Sequence, residues 1–117
     1  MKEIIFYKTG AGKSPVEDFL DTLSGKQAQK VTWVLNLIEE LGSIPSAYMK
    51  HLVNTDEIIE IRVQTGRDIF RLLGFLYNKH YVVLTNGFQK KTQKTPKQEI
   101  VLAEQRKCEY LRRRKSK

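Results

Sequence analysis

Lysine and arginine are the side chains in this sequence that could do chemistry. Only two histidines and one cysteine occur in 117 residues, and no metal-ligand cluster, Gly-rich phosphate loop or Ser/His/Asp arrangement is present. The cationic candidates are Arg62 and Arg71 on neighbouring expected strands, Lys50 in the preceding loop, and Lys90, Lys91 and Lys94 after the last strand. One reaction suits such a set. RNA carries its own nucleophile, the 2′-hydroxyl, beside the scissile phosphate. A protein need only orient the strand, neutralise charge on the pentacoordinate transition state and help move protons. Arginine grips phosphate oxygens in a bidentate way, and a lysine crowded by cations can act as a base because its pKa falls. The same residues also suit plain phosphate binding or a solvated surface. His51, next to Lys50, reads as a surface histidine without a catalytic part.

Charge is unevenly placed. Residues 1–85 hold as many acids as bases, whereas residues 86–117 hold eleven Lys/Arg against three acids, which accounts for the whole net charge of +8. A polyanionic partner follows from that asymmetry, with a solvated helix and basic tail over 112–117 as the alternative. The single Cys108 excludes an internal disulfide and fits a reducing compartment. No signal pattern and no membrane-length apolar run are present, so a cytoplasmic protein without a membrane partner is expected.

The elements that must position these cations read as follows. Glu3 to Tyr7 is β-favouring. Ser14-Pro15-Val16-Glu17 starts a short helix that buries Val16, Phe19, Leu20 and Leu23. Ser24-Gly25-Lys26-Gln27 is a capping box for a longer helix to about Leu41, with Gly42 as its stop. Trp33 extends the apolar surface of that helix and is expected to pack on the sheet or the neighbouring helix, with a partner-binding role as the lesser alternative. Ser43 to Glu57 reads as a long loop, with Leu52 as its anchor. Strands then run over Ile59 to Val63, Arg67 to Leu76 and Tyr81 to Thr85, with turns at Thr65-Gly66 and Asn78-Lys79 and a bend or bulge at Asn86-Gly87. Thr95-Pro96-Lys97-Gln98 is read as N-cap, N1 and N3 of a last helix to about Arg113, which pins the lysine-rich stretch 90–97 between ordered elements. A single α+β domain over 1–117, with helices against one face of a small antiparallel sheet, is the architecture this order predicts.

Several stretches carry a resemblance: Lys50-His51-Leu52, Glu60-Ile61-Arg62, Ile69-Phe70-Arg71-Leu72-Leu73, and above all Gly87-Phe88-Gln89-Lys90-Lys91-Thr92-Gln93-Lys94-Thr95-Pro96-Lys97-Gln98-Glu99-Ile100. On these the chain resembles the RelE/ParE superfamily of type II toxin–antitoxin toxins, in its HigB-like, phage-derived branch. The resemblance implies a RelE-like β-α-α-β-β-β-α fold and a ribosome-dependent mRNA interferase that needs no metal or cofactor. Its implied partners are mRNA on the ribosome and a helix-turn-helix, HigA-like antitoxin. Carried across by position, Arg62, Arg71, Lys91 and Lys50 would be catalytic. Arg62 and Arg71 would hold phosphate, and Lys50 or Lys91 would move protons. Lys90, Lys94, Arg67, His51 and Phe88 would bind substrate. Relatives with a catalytic tyrosine or histidine after the last strand are not matched, because Phe88 could stack on a base but transfers no proton. A gyrase-inhibiting ParE-like toxin and a non-enzymatic basic RNA- or ribosome-binding module are the competing functions.

Overall fold

The computed structural model describes residues 2–41, 45–91 and 94–115. The stop assigned to Gly42, the Thr92-Gln93 pair of the lysine-rich stretch and the last two tail residues, Ser116 and Lys117, lie outside them. The element order is β1 (Glu3–Phe6), α1 (Pro15–Asp21), α2 (Gly25–Glu40), β2 (Met49–His51), β3 (Ile59–Thr65), β4 (Asp68–Tyr77), β5 (Tyr81–Gln89) and α3 (Lys97–Lys115). The strands form one sheet in the order β1-β5-β4-β3-β2. β1 lies parallel to β5 and the other pairings are antiparallel. The α+β class therefore holds, with one strand more than the sequence reading. Three residues within the expected 43–57 loop, Met49 to His51, pair with Ile61 to Ile59 as an edge strand too short to show a period of its own.

The expectation that all helices share one sheet face is overturned. Period two sends Ile59, Ile61, Val63, Phe70, Leu72, Val82 and Leu84 to one side, where they meet Val16 of α1 and Val31, Val34, Leu35 and Ile38 of α2. Phe75 and Val83 point the other way, onto Tyr110 and Leu111 of α3. Leu73 joins them, packing with Ile58 against Ala103 and Ile100. The cause is visible in β4 and β5, which carry apolar residues on both faces, as strands covered from two sides must.

The expected caps of α1 and α2 are present. Ser14 accepts from the Glu17 amide, and Ser24 and Gln27 bond reciprocally. The last helix differs, because it begins at Lys97 and Thr95 does not serve as its cap. The Thr95 hydroxyl instead donates to the carboxylate of Glu60 across the sheet. A register shift at Leu73/Gly74 skips Thr85, so the anticipated bulge lies at Thr85, one residue before Asn86-Gly87, and β5 continues beyond it to Gln89. A Cβ on Gly74 would overlap the Val83 carbonyl oxygen, so this close approach requires glycine.

The basic end of the chain is docked rather than frayed as far as it is described. α3 is helical to Lys115. The Arg106 and Arg113 guanidinium groups lie 5.7 and 5.4 Å from the centre of the buried Tyr7 ring. Arg113 also donates to the Lys8 carbonyl at 2.6 Å, and Arg114 lies over both Tyr77 and Tyr110. Much of the local positive charge thus does structural work through cation–π contact.

Candidate functional site

Register builds the site. On the α3 side of the sheet, Lys50, Glu60, Leu73 and Asn86 form one cross-strand row from β2 to β5. Arg62, Arg71 and Phe88 form the next. Gln64 and Ile69 begin a third, which Lys90 extends by donating its backbone N–H to the Ile69 carbonyl at 2.7 Å. Paired residues share a face, so these side chains stand together although forty positions separate the ends of the set. α3 and the residues before it reach the first row: Asn86 donates to the Glu99 carboxylate at 3.0 Å, and Thr95, ahead of the helix, reaches Glu60.

Glu60 is the centre of this arrangement, and its side chain is fully buried. One carboxylate oxygen pairs with the Arg71 guanidinium, itself nearly buried, and lies 3.9 Å from the Lys50 ammonium at the exposed sheet edge. The other accepts from Thr95. A buried carboxylate is tolerated because each oxygen has a partner. The Arg71 Nε finds no hydrogen-bond partner among the described residues, so the ion pair is incompletely compensated. Arg62 is exposed beside Arg71, and its guanidinium reaches Gln64 at 3.5 Å.

Lys90 completes the group. Its pKa is held below the ordinary lysine value, first by partial desolvation against the sheet, then by the Arg71 guanidinium, with smaller contributions from Arg62 and Lys50. Glu60 opposes that shift. Four cations around one buried carboxylate leave the cluster positive, and one of them loses its proton more easily than a free lysine. Phosphate binding and proton transfer are both within its reach.

Of the residues expected from sequence, the structure brings Lys50, Arg62, Arg71 and Lys90 together. Lys91 and Lys94 are both exposed and follow Lys90 in sequence, before α3. Arg67 is exposed in the turn joining β3 to β4, four residues from Arg71. His51 pairs with Ile59, a residue of the α1–α2 side, and so stands on the face away from Lys50. Phe88 is half-buried and packs with Ile58, Leu73 and Ala103 under α3. Two members escaped sequence reasoning. Glu60 alternates with apolar residues exactly as a solvated strand residue would, and Thr95 reads as a helix cap. The one available signal was the adjacency of Glu60 to Arg62 in an alternating strand.

No group of three or more His, Cys, Asp or Glu residues that could hold a metal occurs among the described residues. No helix among them is long and apolar enough to cross a membrane. Among curated proteins, none matches the chain. The family described as phage-derived protein Gp49-like (DUF891) matches residues 18–108, from α1 through most of α3 and including every member of the cluster. The chain belongs to this phage-derived, Gp49-like family.

Proposed function

We propose that the protein is the toxin of a type II toxin–antitoxin pair, of the HigB-like kind, and cleaves mRNA on the ribosome without a metal ion. The observation that carries this reading is the cluster itself: Lys50, Arg62, Arg71 and Lys90 gathered about buried Glu60, with Lys90 poised to give up its proton. Neutral Lys90 takes the proton of the 2′-hydroxyl, the 2′-oxygen attacks the adjacent phosphorus, and the 5′-oxygen leaves with a proton from Lys50. A 2′,3′-cyclic phosphate and a free 5′-hydroxyl result. Exposed Arg62 holds the phosphate oxygens while their charge grows. Arg71 works from beneath the surface as a positioning residue, keeping the field positive and the Lys90 pKa low. A helix-turn-helix, HigA-like antitoxin is the partner this function requires.

The test is expression followed by mapping of mRNA 5′ ends. Wild-type protein is expected to arrest growth and create new breaks in register with codons. Lys90→Ala combined with Arg62→Ala, both away from the buried core, abolishes the breaks while circular dichroism stays unchanged. Intact mRNA during growth arrest refutes the reading, and DNA damage in its place identifies a gyrase inhibitor.

A further inference from the structure

Beside the cluster the outermost strand of the sheet, β2, is only three residues long. The Arg62 amide donates to the Tyr48 carbonyl at 2.8 Å, and the chain beyond Tyr48 turns away toward Pro45. Arg62 and Gln64 lie at this end of β3. With Lys30 and Val34 of α2 and Ala47 and Tyr48 of the loop they line a pocket of about 280 Å³. Trp33, 49% exposed, contacts two of its lining residues. Its ring meets that of Tyr48 edge-to-face at 6.3 Å, and the Lys30 ammonium lies 4.6 Å from its centre. Trp33 was expected to pack on the sheet or a neighbouring helix. It leans on the loop instead, and about half of its surface stays in water.

A large aromatic side chain left half-exposed beside a cation-lined pocket has two opposite affinities to offer. The ring face not covered by the Lys30 ammonium favours a planar π-system, and Lys30 and Arg62 favour negative charge. Single-stranded nucleic acid combines the two, since each nucleotide brings a stackable base and a phosphate. Gln64 adds an amide that can donate to and accept from a base edge. Arg62 belongs both to this pocket and to the cation cluster, so a strand whose phosphate sits at the cluster would bring its neighbouring base to the pocket. We infer that Trp33 and Tyr48, with Lys30, Arg62 and Gln64, form a stacking subsite for one nucleotide of single-stranded RNA adjoining the phosphate-binding cluster. The adjoining phosphate as the cleaved one rests on the proposed RNA cleavage, whereas the binding itself does not.

Trp33 is the chain's only tryptophan, so the subsite reports on itself. The probe is a short 2′-O-methyl RNA, which binds but has no free 2′-hydroxyl to attack. Titrated into the full chain, it quenches Trp33 fluorescence. Trp33→Ala weakens binding of the end-labelled probe about tenfold, the loss of one stacked base, and leaves the salt dependence unchanged. Trp33→Phe recovers most of the affinity. Arg62→Gln lowers the slope of log affinity against log salt by about one. Unaltered fluorescence at saturation, or equal affinity of Trp33→Ala with its fold intact, overturns the subsite. So does a wild-type dimer that Trp33→Ala converts to monomer without any response to RNA, which would make the patch a self-association surface. Codon-register breaks with an unresponsive Trp33 remove only the subsite, and a responsive Trp33 with intact mRNA removes only the nuclease reading.

Discussion

Replacing Glu60 by Gln is the most informative single change. The substitution keeps the shape and removes the charge that faces Arg71, Lys50 and Thr95. Both Glu60 and Arg71 are almost fully excluded from solvent, so solvent screening does not rescue the guanidinium left behind. Breaking a buried pair from one side costs about 3 to 5 kcal/mol. The retained amide oxygen can still accept one hydrogen bond, which places the expected loss near the lower end, at about 3 kcal/mol. With an unfolding entropy of about 2.1 cal/mol/K per residue, that loss lowers Tm by roughly 12 °C. Urea denaturation followed by circular dichroism gives the free energy, and calorimetry gives Tm. Arg71→Met in the same background is expected to recover part of the loss, because it removes the orphaned charge. A loss under about 1 kcal/mol for Glu60→Gln, or strictly additive effects in the double mutant, would refute the claim that this carboxylate holds the cluster together.

Two further outcomes follow from the same geometry. Desolvation and then the neighbouring cations lower the Lys90 pKa, so the proposed cleavage is expected to rise with pH and level off below 10.5, the ordinary lysine value. Arg62→Gln removes a cation and moves that limb to higher pH, whereas Glu60→Gln removes the one opposing charge and moves it lower, as pH–rate profiles would show. A limb that stays in place in both variants excludes Lys90 as the titrating base. Deleting residues 112–117 is expected to cost about 1 to 3 kcal/mol of stability, through lost cation–π contacts on Tyr7, Tyr77 and Tyr110 and the lost bond to the Lys8 carbonyl. Unchanged Tm in the truncated chain would return this segment to the status of a solvated tail.

Local rules in the sequence determine most of the elements here. Capping boxes start α1 and α2, period-two alternation marks β3, turn residues separate the strands, and Ile100, Ala103, Lys107, Tyr110 and Leu111 share one side of α3. These signals act within a few residues of the chain, so a linear reading captures them. The cations were legible too, because side-chain chemistry alone made Arg62, Arg71, Lys50 and Lys90 candidates. The tertiary structure alone decided which face α3 covers, that Met49 to His51 pairs with β3, and that His51 points away while Lys50 points in. Each depends on pairing between residues far apart in sequence. Glu60 shows the reason most clearly. In sequence it is one polar residue in an alternating strand, and only burial beneath Arg71 and Thr95 turns it into the carboxylate that organises four cations. Burial is a property of the assembled layers, and no short stretch of chain contains it.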